Sequence, residues 1–186
     1  MNRSLNFLFA AILSIALAIP AIIIGLAILL TSKGPIIYWS TRIGQNNSPF
    51  RMPKFRTMSL DAPDVSTHQM KKPEKYITKI GSFLRKTSLD ELPQLWSILK
   101  GDMGFVGPRP ALFNQNDLIT LRSQKGVDKL LPGITGWAQI KGRDELAIPQ
   151  KVKMDVYYLK NQSLLFDLKI IWLSLFAVLN WKNISH

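Results

Sequence analysis

Residues Phe7 to Leu30 read FLFAAILSIALAIPAIIIGLAILL and carry no charged side chain. A straight helix of about 24 residues rises about 36 Å, enough to cross a ~30 Å hydrocarbon core. A secretory signal would have a shorter apolar region and a small-residue cleavage site after it. Here the run leads into Thr31-Ser32-Lys33-Gly34-Pro35. Pro20 complicates a simple span. It lacks the N–H that would reach the carbonyl of Ala16, and its ring clashes there. The piece before it, Phe7 to Ile19, would be only about 20 Å long. Two short helices meeting at a bend would dip into one leaflet and return, yet a proline kink is also tolerated in a true span. Arg3 lies on one side, Lys33 and Arg42 on the other. Positive charge at both ends is natural for a re-entrant segment and mildly unusual for a spanning one. The residues by themselves leave both topologies open.

Around this segment the chain is basic. Its 186 residues hold 24 Lys and Arg against 12 Asp and Glu, a net charge of +12. Such a balance points to an anionic partner: nucleic acid, phospholipid headgroups or a phosphorylated substrate. Hydrophobic residues make up 47% of the chain, which is high for a nucleic-acid binder. The lack of cysteine excludes a disulfide scaffold and thiolate metal sites.

Residues 31–162 are mixed in character. Pro35 to Ser40 is a short strand-like run, and Phe50 to Met58 alternates basic and apolar residues. Asp61 to Pro73 is polar and contains proline, which predicts a loop. Lys71, Lys72, Lys75, Lys79, Arg85 and Lys86 form a basic stretch suited to a solvated or headgroup-facing surface.

In Ser88-Leu89-Asp90-Glu91-Leu92-Pro93-Gln94-Leu95-Trp96-Ser97-Ile98-Leu99-Lys100-Gly101-Asp102, Leu92, Leu95, Trp96 and Leu99 follow helical spacing and Gly101 is a natural stop. Ser88 and Glu91 match a capping box. Pro93 is best accommodated if the helix starts at Asp90, which puts it in the first turn. Asp90 and Glu91 then lie at a helix N-terminus, where carboxylates favour the macrodipole whether or not they do chemistry.

Two Gly/Pro-rich turns follow, Gly104 to Pro110 and Leu131 to Gln139. Rigid turns with free backbone donors and a fixed arginine suit phosphate, although neither matches a P-loop or dinucleotide fingerprint. Near the C-terminus, Ser163 to Trp181 reads SLLFDLKIIWLSLFAVLNW. Asp167 and Lys169 leave an uncharged stretch of only about 12 residues, short of a span. The pattern predicts an interfacial or core-packed helix, with Trp172 and Trp181 at headgroup level.

Several short motifs in order carry a resemblance. They are Lys54-Phe55-Arg56-Thr57-Met58, Ser88 to Gln94, Lys100-Gly101-Asp102-Met103, Gly107-Pro108-Arg109-Pro110 and Pro132-Gly133-Ile134-Thr135-Gly136. The series continues through Gly142-Arg143-Asp144, Asp155-Val156-Tyr157-Tyr158 and Phe166-Asp167-Leu168-Lys169. Together they resemble the bacterial sugar transferase family, the monotopic phosphoglycosyl transferases.

The resemblance implies a helix-rich α+β protein. Residues 1–32 would form a re-entrant membrane helix broken at Pro20, and residues 33–186 a catalytic domain with short strands, interfacial amphipathic helices and a C-terminal membrane-associated helix. The protein would lie at the cytoplasmic face of a bacterial inner membrane among phospholipids. Its partners would be a UDP-sugar and polyprenol (undecaprenyl) phosphate, not nucleic acid.

The implied reaction has two steps. Asp90 attacks the sugar-linked phosphate and UMP leaves; polyprenol phosphate then attacks the phosphosugar-aspartate. Asp90 and Glu91 form the catalytic dyad, with Glu91 helping to hold Mg²⁺ beside Asp90. Lys54, Arg56, Arg85, Arg109 and Arg143, in or beside the motifs, are the candidate phosphate-binding residues. Two prolines restrict the backbone of Arg109 and so help aim its guanidinium fork. Asp167 would be structural or near the site.

The chain departs from the pattern at Ile19-Pro20, where the family has Ser-Pro. It also has Gly142-Arg143-Asp144 where some relatives have Gly-Arg-Asn. It resembles the small members without a multi-span extension, many of which act on UDP-N-acetylated deoxy-hexosamines. A hexose-1-phosphate transferase acting on UDP-glucose or UDP-galactose is the alternative within the same superfamily, and the residues do not specify the sugar. A membrane-tethered binder of anionic lipid or nucleic acid would explain the net charge but not the ordered motifs.

Overall fold

The break in the N-terminal helix falls one residue after Ala16, whose carbonyl Pro20 has no N–H to reach. In the computed structural model, which describes residues 1–63, 72–142 and 146–179, helix α1 (Arg3–Ala16) and helix α2 (Ala18–Thr31) meet at Leu17 with a 61° bend. Pro20 therefore lies in the first turn of α2, where a missing donor costs little, and the bend is at Leu17 rather than at the proline itself. Each helix has 14 residues, or about 21 Å of rise. Among the described residues no single helix is long and apolar enough to cross a membrane; only this bent pair passes that test, jointly.

One side of the pair is tied to the rest of the chain. Asn2 caps α1 by accepting from the Leu5 N–H at 3.0 Å. The buried Asn6 accepts from the Phe105 N–H at 2.9 Å. Arg3 donates to the Lys100 carbonyl at 3.1 Å. Ala10 packs with Met52, Leu95, Ile98 and Met103, while Ile28 of α2 packs with Phe55 and Leu84. On the other side Phe7, Ile15, Ile19, Ile22, Ile23 and Leu30 are exposed.

Strand β1 (Ile37–Ile43) pairs antiparallel with β2 (Pro49–Phe55) and, at the other edge, with β4 (Ala111–Leu112). Successive strand side chains point to opposite faces. Met52 accordingly joins the α1 cluster while Phe55 joins that of α2.

Strands β3 (Gly104–Val106) and β5 (Gly133–Thr135) are parallel partners. They are the cores of the two Gly/Pro-rich turns. The expectation that these turns hold free backbone donors for phosphate is corrected here: Gly104 donates to Pro132 at 2.8 Å, Gly107 to Thr135 at 2.9 Å and Gly133 to Pro108 at 3.1 Å. Glycine is required by proximity, because a Cβ on Gly107 would lie 2.2 Å from the Leu131 carbonyl oxygen.

The remaining helices are α3 (Lys79–Thr87), α4 (Leu95–Lys100), α5 (Asn116–Gln124), α6 (Trp137–Gly142), α7 (Ile148–Asn161) and α8 (Leu164–Leu179). Short strands among many helices make this a helix-rich α+β fold. Tyr158 of α7 and Ile170 of α8 share a core with Val106, Val127 and Leu130. Asp167, fully buried, accepts from the Tyr158 hydroxyl at 2.7 Å and pairs with the Met1 amino group, which makes it a structural residue. Leu165, Leu168, Trp172, Leu175 and Phe176 of α8 are exposed. Lys71, Arg143 with Asp144, Trp181 and much of the Asp61–Pro73 loop lie outside the described residues.

Candidate functional site

Asp90 and Glu91 occupy the first turn of a 3₁₀ segment, Leu89–Gln94, that runs directly into α4. The tighter winding accommodates Pro93, and Gly101 ends α4 in the left-handed region at φ 90°. The capping box expected from Ser88 and Glu91 does not form. Ser88 already closes α3 with φ 56° and makes no side-chain cap bond to the next turn, whereas an N-cap normally needs extended backbone. The two carboxylates still sit at the N-terminus of a helical run.

Lys54 reaches this turn from β2. Its Nζ lies 2.8 Å from Glu91 Oε1 and 3.8 Å from Asp90 Oδ2. Arg109, from the loop after β3, brings Nη2 to 3.2 Å from the same Glu91 oxygen. Its side chain is 36% exposed, so this charged group also faces outward. Arg85 of α3 donates from Nε to Thr57 Oγ1 at 2.9 Å and exerts an attractive field on Asp90. The structure thus gathers Asp90, Glu91, Lys54, Arg85 and Arg109, five residues drawn from positions 54 to 109.

The two acids are held differently. Burial pushes the Asp90 carboxyl up, with Lys54 working against that, neighbouring Glu91 adding to it, and Arg85 and Arg109 opposing it. Burial also works to raise Glu91, but Lys54 and Arg109, by charge and by hydrogen bond, outweigh it and hold Glu91 well below the usual carboxylate range. Both carboxylates are desolvated; Glu91 is the closely paired anion, and Asp90 has the more distant cation. A poorly solvated carboxylate with looser pairing is suited to nucleophilic attack, and the surrounding cations to an anionic electrophile.

Arg56 stands apart from this cluster. Its guanidinium donates to the Lys33 carbonyl, to the Ser32 carbonyl at 3.0 Å and to Ser32 Oγ at 2.9 Å. It is 5% exposed and closes the C-terminal end of α2, where a cation meets unpaired carbonyls. Its place in the Lys54–Met58 motif is therefore accounted for by the end of α2, not by the acid pair. Arg143 lies outside the described residues.

Among the described residues no group of three or more metal-ligating acids or histidines occurs. Two adjacent carboxylates nonetheless suit Mg²⁺, which needs few protein ligands and retains water and substrate phosphate oxygens. Asp90 and Glu91 fit such a cation, and it would compete with Lys54 and Arg109 for Glu91.

Two residues of the neighbourhood are joined by a contact that no local sequence signal reveals. Arg122 of α5 donates to Asp155 Oδ2 of α7 from Nε at 3.0 Å and from Nη2 at 2.7 Å. Its remaining terminal nitrogen donates to the Arg109 carbonyl at 2.8 Å. Asp155 appears in a motif, but a partner 33 positions away is invisible to helical or strand spacing.

A family model described as bacterial sugar transferase matches residues 1–181. A UDP-glucose:undecaprenyl-phosphate glucose-1-phosphate transferase of Escherichia coli K12 is 36% identical over 183 residues, covering 95% of this chain and 39% of that protein. One of Caulobacter vibrioides with the same name is 35% identical over 191 residues, covering 98% of this chain and 71% of that protein. An uncharacterized sugar transferase of Bacillus subtilis 168 is 42% identical over 152 residues, covering 82% of this chain and 74% of that protein. The chain spans about two fifths of the length of the Escherichia coli relative and about seven tenths of the other two.

Proposed function

The chain belongs to the bacterial sugar transferase family, and we propose that it transfers a sugar-1-phosphate from a UDP-sugar to polyprenol phosphate, releasing UMP. The observation that carries this reading is the division of labour in the acid pair: Glu91 held by Lys54 and Arg109, Asp90 buried and more loosely paired. An Asp90 oxygen attacks the sugar-linked phosphorus. The bond from that phosphorus to the bridging oxygen breaks, and UMP departs with the electron pair. A phosphosugar-aspartate remains. An oxygen of polyprenol phosphate then attacks the same phosphorus, freeing the Asp90 carboxylate and leaving a polyprenyl-diphosphate sugar.

Arg109 and Lys54 bind and orient the diphosphate, and their fixed charge offsets repulsion between carboxylate and phosphate. Arg85 adds an attractive field on Asp90. Mg²⁺ bound at Asp90 and Glu91 would neutralise phosphate charge as it builds on the leaving group. Arg56, engaged with the end of α2, is not part of this set.

The anchor is read as re-entrant. α1 and α2 enter and leave one membrane face, bent at Leu17 under the influence of Pro20. The 61° bend, two helices each too short to cross ~30 Å and their outward apolar side chains support it. The exposed face of α8, including Trp172, would lie along the same surface. In a bacterium that face is the cytoplasmic side of the inner membrane, where soluble UDP-sugar meets the lipid phosphate.

UDP-glucose is the first substrate to test, because the relatives from Escherichia coli and Caulobacter vibrioides are named for it; UDP-galactose and UDP-N-acetylated deoxy-hexosamines follow. Purified protein is incubated with each UDP-sugar, Mg²⁺ and undecaprenyl phosphate, and UMP is measured. Release with one sugar, abolished by EDTA and by omission of protein, is expected. No release from any of them would refute the reading.

A further inference from the structure

Arg109 owes its position to something other than its own contacts with the acid pair. The guanidinium is partly exposed and pairs with Glu91 at 3.2 Å, but its backbone is gripped from behind. Arg122 Nη1 donates to the Arg109 carbonyl at 2.8 Å. The other face of the Arg122 fork is fixed by Asp155, through two hydrogen bonds of 3.0 and 2.7 Å to one oxygen. Arg122 is 7% exposed and Asp155 2%. From the neighbouring strand, Arg42 Nη1 donates to the Pro110 carbonyl at 3.3 Å. The carbonyls of Arg109 and Pro110 are thus both held by arginines, on a backbone whose φ at Pro108 and Pro110 is locked by the ring.

A planar guanidinium is the side chain that can do this. Its five donors lie in one plane, so a bidentate pairing with Asp155 leaves a third donor at a fixed angle. The α5–α7 contact then becomes a ruler for the loop that carries Arg109. We propose that the buried Arg122–Asp155 pair is a positioning device for Arg109, setting the angle at which its guanidinium meets Glu91 and the diphosphate of the substrate. This rests on the phosphate-binding role given to Arg109 above. The contacts of Arg122 run to Asp155 and to the Arg109 carbonyl, so the pair acts through the Arg109 main chain.

A merely structural pair predicts a different result, and a double-mutant cycle separates the two. Removing one partner leaves a buried charge and risks unfolding, so both are replaced at once by apolar groups of similar size, Arg122→Met with Asp155→Leu. Such replacements of buried ion pairs are often tolerated. The pair substitution is made in the wild-type and in the Arg109→Ala background, and UMP release and thermal melting are recorded for each. If the pair aims Arg109, it lowers kcat/KM about ten-fold or more in the wild-type background, mainly through kcat, and less than about two-fold once Arg109 is alanine. The melting shift is the same in both backgrounds. Equal activity losses in both backgrounds, or no loss in the wild type, would overturn the proposal. The more conservative Asp155→Asn, which keeps an acceptor for Arg122, should retain most activity if it folds; a loss as large as that of the pair substitution in a folded Asp155→Asn would also contradict it. A wild type that releases no UMP from any UDP-sugar removes the functional reading itself, whereas an active wild type with an additive cycle removes this inference alone.

Discussion

The helical runs around Pro20 and Pro93 resolve a proline in opposite ways. Around Pro20 the chain breaks at Leu17 and turns through 61°, leaving large apolar side chains on the outside. Around Pro93 the chain winds more tightly instead, into the 3₁₀ segment Leu89–Gln94, and passes into α4. The proline is equally unable to donate in both. What differs is the packing. Leu17 packs at the edge of the Ala10 cluster, and among the described residues the outward faces of α1 and α2 carry exposed apolar side chains. The 3₁₀ segment is clamped between β2 and α3, with Asp90 and Gln94 buried. A proline bends a helix that has a free side and rewinds one that has none. In the first case the consequence is the shape of the α1–α2 pair; in the second it is where two carboxylates point.

Pro93→Ala should have the largest effect. Freed of the ring, residues 89–94 can relax toward α geometry, which rotates Asp90 relative to Lys54 and Arg109. A misplacement of about 1 Å can cost about a hundred-fold in rate. The expected result is a loss of UMP release of that order with a melting temperature little changed. Full activity would show that the packing on β2 and α3, not Pro93, orients the acids.

Arg109→Lys is expected to cost about ten-fold, since a lysine supplies a point charge without the fork. The check is kcat/KM for UMP release, and an unchanged value would assign Arg109 to the fold alone.

Glu91 gives a smaller effect, on stability. Its carboxyl is depressed in the folded state by Lys54 and Arg109. It therefore contributes stability that is fully present above the ordinary glutamate value of about 4.3 and is lost as pH falls through the depressed folded value. In metal-free protein, urea titrations should show wild type losing its advantage over Glu91→Gln below about pH 4, by on the order of 1.5–3 kcal/mol. A constant difference across that range would contradict the pairing.

Pro20→Ala should change catalysis least, within about two- to three-fold, because the acid pair is held by β2 and α3. Its effect belongs to topology. Single cysteines placed near Asn2 and Ser32 should both be labelled from the cytoplasmic side in the parent protein. With Pro20→Ala, about 24 apolar residues can straighten toward a span, and the Asn2 position should become partly reachable from the other side. Labelling of that position from the periplasm in the parent protein would refute the re-entrant reading.

What could be read from the residues alone follows the range of each signal. The apolar run at Phe7–Leu30, the stop at Gly101 and the placement of Asp90 and Glu91 in a first turn are local, and spacing reveals them. Ser88 was a local signal that another local demand overrode: it fits a cap by composition, but the end of α3 claims its backbone first. Gly107 and Gly133 read as loop glycines because nothing nearby shows that two backbones will lie against each other. Lys54, Arg85 and Arg109 come together only through the motifs that carry the family resemblance, since 31 and 24 positions separate them in turn. Arg56 sits two residues from Lys54, so strand alternation would place the two on one face. The end of β2 at Phe55 releases it toward α2 instead.

In the proposed mechanism Asp90, and not its neighbour, becomes covalently attached to the phosphosugar. Wild-type protein is incubated with the UDP-sugar that it turns over and Mg²⁺, without lipid phosphate, then quenched, digested and read by mass spectrometry alongside Asp90→Asn and Glu91→Gln. A phosphosugar mass on Asp90 is expected, present in wild type and absent from Asp90→Asn, which folds but does not release UMP. An adduct on any other residue, or UMP release that survives Asp90→Asn, would contradict it.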